Sequence, residues 1–175
     1  LARIFTKIYK EGGIILVDAK DGSSQTIFTE NDAAYIDITD NLTFLNDGKY
    51  FIWTSEKSGY NHIYLYNLKG NQVRQITKGT YDVTDFYGIN ESNNTVYFAS
   101  GEKSPMRRDV YSVQLNGKNK KRLTNKIGTN SATFSTNFKY FINQYSNANT
   151  PYYFSLFDAK GNEVRMLKDN TNLKK

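Results

Sequence analysis

A segment that recurs four times constrains the fold of this chain more than any other sequence feature. Each copy has a β-rich apolar run, a polar turn and a shorter run that closes on an apolar residue followed by Thr or Lys. The closing apolar residues are spaced by 48, 47 and 44 positions: Phe28, Ile76, Leu123 and Leu167. This period predicts the four-stranded blades of a β-propeller, which take about 40 to 50 residues each.

A second repeated segment keeps the same period. It is a polar turn followed by an aromatic strand, and its aromatic residues Phe51, Tyr97 and Phe141 are 46 and 44 positions apart. A β-sandwich also has short strands at regular intervals, but it does not predict a sequence repeat of this length. We therefore predict an all-β chain, a propeller fragment of four-stranded antiparallel blades.

The repeat divides the chain into three complete blades and part of a fourth. The complete blades are predicted at residues 34–77, 82–124 and 129–168, and the partial blade, which lacks its innermost strand, at 1–30. The predicted strands are 3–9, 14–18 and 25–29 in the partial blade, then 34–45, 49–55, 61–67 and 72–77, then 82–90, 95–101, 108–115 and 120–124, and finally 129–135, 138–146, 152–158 and 163–168.

Composition excludes several classes of function. The chain carries a formal charge of +6, but its cations are interleaved with Asp and Glu near predicted turns, so we predict no nucleic-acid binding. Without cysteine it has no disulfide or thiolate metal site, and with one histidine a zinc site is not predicted. No apolar run approaches the roughly 18 residues of a membrane span. The sequence predicts no cofactor.

The usual catalytic motifs are also missing. A serine hydrolase needs a nucleophile, a histidine and a carboxylate, and the nucleophile motif G-x-S-x-G does not occur. His62 begins a predicted third strand, where a structural hydrogen-bonding role is favoured over a catalytic one. We predict no catalytic residue in this chain.

Several acidic residues were considered as glycosidase carboxylates or channel residues. Turn chemistry accounts for Asp47, while Asp82 and Asp85 lie at the start of an inner strand. Inner strands and their loops line the central channel where propellers bind ligands. A further set near the first complete blade's inner strand is therefore predicted to line a substrate channel: Tyr35, Asp37 and Asp40.

Two stretches carry a family resemblance. Residues 44–48 and 53–66 contain a Ser-Glu-x-x-Gly-aromatic-x-His run that ends at His62, and in residues 74–83 an aromatic, an acidic residue and Val follow Thr-x-Gly. Tyr97-Phe98 with Ser100 and Glu102, and residues 167–170, match later landmarks. Together they resemble the N-terminal propeller of dipeptidyl peptidase IV enzymes in the prolyl oligopeptidase family, over nearly the whole chain.

The resemblance implies the propeller portion of a bacterial serine exopeptidase that removes X-Pro or X-Ala dipeptides from peptide N-termini. The catalytic Ser, Asp and His would lie in a C-terminal α/β-hydrolase domain, with residues 169–175 starting the linker to it. The family's paired glutamates belong to an earlier blade, so Glu56 and Glu102 are not their counterparts. The resemblance also implies a homodimeric parent protein that is periplasmic, cell-surface or secreted.

One loop departs from the family pattern. In animal members the loop matching residues 35–41 carries an aromatic-Arg pair that faces the substrate cleft, whereas this chain has no Arg there. A competing hypothesis is a freestanding protein- or glycan-binding propeller of the cell envelope, because a fold does not determine a function. A downstream G-x-S-x-G followed by Asp and His would distinguish the peptidase from the binding protein.

Overall fold

The computed structural model describes residues 2–5, 11–33, 35–37 and 39–173 and is built of β-strands. Four antiparallel sheets follow one another along the chain, and in each of them every strand pairs with its neighbour in sequence. The strands are β1 Ala2–Phe5, β2 Glu11–Val17 and β3 Ser24–Asn31; β4 Thr43–Phe44, β5 Tyr50–Ser55, β6 His62–Asn67 and β7 Gln72–Gln75; β8 Val83–Asn90, β9 Thr95–Ser100, β10 Asp109–Gln114 and β11 Lys121–Arg122; β12 Thr129–Phe134, β13 Tyr140–Asn147, β14 Thr150–Asp158 and β15 Glu163–Lys168. A single turn of 3-10 helix spans Thr171–Leu173. The all-β class and the four-stranded antiparallel blades are confirmed.

We call these sheets the first sheet (β1–β3) and the second, third and fourth blades. Three apolar clusters lie between successive sheets, so the sheets stack face to face. In β5 the side chains alternate between two of these clusters: Phe51 and Trp53 pack towards the first sheet, and Ile52 packs towards the third blade. Because both faces of the second blade are covered, β5 is buried almost throughout, without the alternation of a half-exposed strand.

A glycine contact repeats at each of these interfaces. The hairpin glycine of one sheet lies against the backbone of the apolar residue that closes the preceding sheet: Gly70 against Ile27, Gly117 against Ile76, and Gly161 against Leu123. Four successive sheets are thus joined in the same way at three interfaces. The contact explains why the glycine recurs in step with the apolar residue.

The first closing residue differs from the predicted one. Ile27 is buried and Phe28 only half-buried. The pairing of β2 with β3 shifts by one residue, from Ile14 opposite Phe28 to Ile15 opposite Thr26. Ile27 lies five residues after the hairpin glycine Gly22, whereas Ile76 and Leu123 lie six residues after Gly70 and Gly117, so the repeat moves from Phe28 to Ile27.

Two predicted strands need correction, and a third is described only in part. In the region predicted as a strand at 34–45, of which residues 34 and 38 lie outside the described part of the chain, the described strand is Thr43–Phe44. Polar groups upstream of it bond locally, as where Asn41 N–H donates to Thr39 Oγ1. The strand predicted at 120–124 is Lys121–Arg122, because Thr124 Oγ1 takes the N–H of Val110 and ends the ladder. Of the strand predicted at 3–9, residues 2–5 form β1 and residues 6–9 lie outside the described part of the chain.

Candidate functional site

The two ends of the stacked sheets differ in the length of their connections. At one end, the hairpin end, short turns such as residues 45–49 and 68–71 join the strands. At the other, the loop end, lie residues 32–42 before β4, 56–61 between β5 and β6, and 101–108 between β9 and β10. Loops that meet at one end of a rigid scaffold are where binding residues concentrate in such folds.

A polar cavity of about 190 Å³ opens at the loop end of the second blade, and we call it the loop cavity. It lies between the loop before β4, the β5–β6 loop, the end of β3 and the start of β8. Its walls are formed by Glu30, Asn31, Asp32, Tyr35, Ile36, Asp37, Thr39, Asn41, Thr54, Ser55, Glu56, Lys57, Asn61 and Thr84.

Glu30 anchors one wall of the loop cavity. Its carboxylate accepts a hydrogen bond from Trp53 Nε1 at 2.9 Å and another from the Ser55 hydroxyl. The same hydroxyl accepts the N–H of Lys57 at 3.1 Å. Hydrogen bonds of the Glu30 and Ser55 side chains therefore connect the end of the first sheet to the β5–β6 loop.

Lys57 is held away from the centre of the loop cavity. Its ammonium lies 4.5 Å from the ring centre of Tyr64 and 4.9 Å from that of Tyr66, and it donates to the Tyr66 hydroxyl at 2.5 Å. Partial burial lowers the pKa of Lys57, while the Glu30 carboxylate opposes that shift. The aromatic rings of β6 thus hold the cation.

The field in the loop cavity is negative. Four of its lining residues are carboxylates and one, Lys57, is a cation, in a chain whose formal charge is +6. Burial raises the pKa of Glu56, and the charges of Asp37, Asp82, Asp32 and Glu30 raise it further. Such a wall favours cationic and hydrogen-bond-donating groups over anions.

Asn61 ties the β5–β6 loop to the third blade. Its N–H donates to Asp82 Oδ1 at 2.8 Å and its side-chain amide to the Val83 carbonyl at 2.7 Å, while Val83 N–H donates to the Asn61 carbonyl at 2.8 Å. Asp82 therefore has a structural role, because it accepts a hydrogen bond at the junction between the second and third blades. The wall that contains Asn61 is therefore fixed by the start of β8.

The structure separates the three residues predicted to line a channel. Tyr35 and Asp37 line the loop cavity, and Tyr35 is 51% exposed. Asp40 is exposed and lies outside the lining set of the described residues. His62 is buried with both ring nitrogens bonded, which confirms its structural role.

Sequence reasoning missed Glu30, Glu56, Lys57 and Asn61 as cavity residues. A usable signal existed, because the connection into a blade's first strand and the loop between its second and third strands must lie at the same end of an antiparallel sheet. Pairing residues 32–42 with 56–61 on that basis would have found three of them. Glu30 ends a strand of another sheet and needed the stacking geometry.

The stacked four-stranded blades define a β-propeller fold with a polar cavity at its loop end. Comparison with known proteins gives a particular family. The family described as Dipeptidyl peptidase IV (DPP IV) N-terminal region matches residues 6–152. The chain belongs to this family.

Individual relatives agree with the family match. The crystal structure of Porphyromonas gingivalis dipeptidyl peptidase 4 superposes with a TM-score of 0.89 at 38% identity, covering 97% of this chain and 24% of that one. The crystal structure of a putative dipeptidyl aminopeptidase IV from Bacteroides ovatus shares the fold, with a TM-score of 0.82 at 23% identity. The match covers 95% of this chain and 27% of that chain. Dipeptidyl peptidase 4 of Arthroderma otae is 30% identical over 155 residues, 83% of this chain and 20% of that protein. The chain thus spans about a fifth of the length of such curated relatives.

Proposed function

We propose that this chain is the non-catalytic propeller portion of a serine dipeptidyl peptidase, and that its loop end guides peptide substrates to a hydrolase domain of the same parent protein. The observation that carries the proposal is the loop cavity in a member of the DPP IV N-terminal region family. The parent protein is proposed to remove X-Pro or X-Ala dipeptides. A homodimeric parent outside the cytoplasm is part of the same proposal. Among the described residues, no helix has the length and apolar character to cross a membrane.

The chemistry of the loop cavity supports this role. A peptide that enters by its N-terminus brings an ammonium group and a run of backbone N–H donors, and the cavity offers carboxylates from Glu30, Asp37 and Glu56. Tyr35 adds an exposed ring beside them. Asp40, exposed on the same loop, is proposed to line the approach to the cavity.

The test compares this chain with the longer protein that contains it. We expect the longer protein to release p-nitroaniline from Gly-Pro-p-nitroanilide and the 175-residue chain to release none. A folded longer protein without release would exclude the peptidase assignment. It would favour the binding propeller of the cell envelope.

A further inference from the structure

His62 lies directly behind the wall of the loop cavity. It is the first residue of β6, it is 1% exposed, and the residue before it, Asn61, lines the cavity. Its ring packs edge-on against Tyr81 with 5.3 Å between ring centres. The imidazole therefore lies between the cavity wall and the connection that leads from β7 to β8.

The hydrogen-bond partners of His62 define the tautomer of its neutral ring. Nε2 lies 3.1 Å from the carbonyl oxygen of Gly79, which can only accept, so Nε2 carries a hydrogen. Nδ1 lies 3.1 Å from Thr77 Oγ1, which already accepts Ile63 N–H at 2.9 Å. In the neutral ring, which burial favours, Nδ1 is then the acceptor and the Thr77 hydroxyl donates to it. Both nitrogens of the neutral ring thus have a hydrogen-bond partner.

The next blade has the same junction with a different side chain. There Val110 N–H donates to Thr124 Oγ1 at 3.0 Å, as Ile63 N–H does to Thr77, and the position of His62 is taken by Asp109. Asp109 is fully buried and paired with Arg107. The threonine contact thus does not require histidine, and the group that titrates near neutral pH occurs at the junction beside the loop cavity.

Few charged groups face the imidazole. Asp82 on the blade connection favours the protonated ring, and Lys120 opposes it from the third blade, where its ammonium bonds Tyr81 and Glu102. Burial outweighs these influences and lowers the pKa of His62. Asp82 also accepts the N–H of Asn61, so it links the ring's surroundings to the cavity wall.

We propose that His62 is a positioning residue that makes the shape of the loop cavity respond to pH. A proton taken from solvent at Nδ1 ends the donation from Thr77, whose hydroxyl must turn its hydrogen away. The new charge then attracts the Asp82 carboxylate, and this attraction competes with the hydrogen bond that Asn61 N–H donates to Asp82. The inference concerns the cavity wall, and it depends on the proposed function only for its activity readout.

The first experiment is an NMR titration of the 175-residue chain. His62 is its only histidine and Trp53 its only tryptophan, so their ring signals are identified by residue type alone. We expect the Nε2–H tautomer at pH 7.5, a titration midpoint below the ordinary value of about 6.5, and shifts of the Asn61 amide and Trp53 indole signals at that midpoint. A midpoint at or above the ordinary value, or cavity signals that do not follow it, would overturn the proposal.

Two conservative variants separate positioning from a merely structural role. His62→Asn retains an acceptor for Thr77, and His62→Gln retains a donor for the Gly79 carbonyl. Whichever variant folds should lose the titration of the Asn61 and Trp53 signals, and persistence of that titration would count against the proposal. If neither folds, the wild-type titration decides.

The longer protein gives an independent readout. The pH profile of kcat/KM for Gly-Pro-p-nitroanilide should lose one step in the folded variant, with kcat at pH 7.5 retained; an unchanged profile would contradict the proposal. If the longer protein is inactive, the peptidase assignment fails, while the NMR titration still decides the role of His62.

Discussion

Gly161 lies so close to the backbone of Leu123 that a Cβ atom on Gly161 would come within 2.8 Å of the Leu123 carbonyl oxygen. Gly161 belongs to the β14–β15 hairpin of the fourth blade and Leu123 closes the third. This contact joins two sheets through their backbones and allows no side chain between them.

Gly161→Ala should therefore destabilise the protein by about 3 kcal/mol. The variant combines strain at a φ of +86° with a steric clash that backbone atoms cannot easily relieve. Gly48→Ala is the matched control, because Gly48 has a φ of +64° with open space around it. The control should lower the free energy of unfolding, measured by urea unfolding, by about 1 kcal/mol. Equal losses would show that the close approach adds nothing.

The buried carboxylate of Asp109 gives a second prediction. Its Oδ2 lies 3.2 Å from Arg107 and 3.7 Å from Arg122, and its Oδ1 lies 3.4 Å from the Asn130 amide. Asp109→Ala removes the carboxylate that pairs with Arg107 in a buried site and should cost about 3 kcal/mol in the free energy of unfolding.

Glu102→Ala is the control for Asp109→Ala. Glu102 pairs with Lys120 at 2.7 Å, but both side chains are about 30% exposed, so its loss should cost less than about 1 kcal/mol. If both variants lose the same stability, burial does not decide the strength of these pairs.

Glu30 should control the surroundings of Trp53. Glu30→Ala removes the acceptor of Trp53 Nε1 and opens the cavity wall, so we expect a red shift of the tryptophan emission and a loss of about 2 kcal/mol. Glu56→Ala removes a carboxylate of the same cavity that is not bonded to Trp53, and the emission should stay unchanged. An equal shift in both variants would point to the cavity field in place of the hydrogen bond.

We also expect the stability of the protein to depend on pH through the buried imidazole of His62. Because burial lowers its pKa in the folded state, the native protein binds this proton less readily than the unfolded chain does. The contribution of the neutral ring to the free energy of unfolding is fully present above about pH 6.5, the ordinary pKa of histidine. It is lost as the pH falls from there through the lower pKa that His62 has in the folded protein. We expect urea unfolding to show that wild type is more stable than His62→Gln at pH 7.5. The difference between their free energies of unfolding should shrink as the pH falls to 5. A constant difference would exclude the effect.

The repeat made the fold predictable because every blade needs the same apolar residues at the same sheet positions. The shift of the closing position from Phe28 to Ile27 was not predictable, since both residues are apolar and the sequence does not show which of them is buried. The described residues between 35 and 42 differ from the prediction for another reason: they include β-branched residues, yet Thr39 Oγ1 accepts the Asn41 N–H locally without a strand.

The loop cavity was only partly predictable. Tyr35 and Asp37 follow from their place before an inner strand, and both line the cavity. Glu30 does not, because its role depends on Trp53 of another sheet reaching it across the stack. Contacts between sheets have no local sequence signal, so Glu30 could not be assigned to the cavity from the sequence.

The most direct test of the central claim is to block the loop cavity in the longer protein. Asp37→Cys labelled with a bulky maleimide should lower kcat/KM for Gly-Pro-p-nitroanilide severalfold, with substrate slowing the labelling. Asp47→Cys, in a turn at the hairpin end, is the matched control and should leave kcat/KM unchanged after labelling. Equal activity of the two labelled proteins would contradict a substrate path along the loop end.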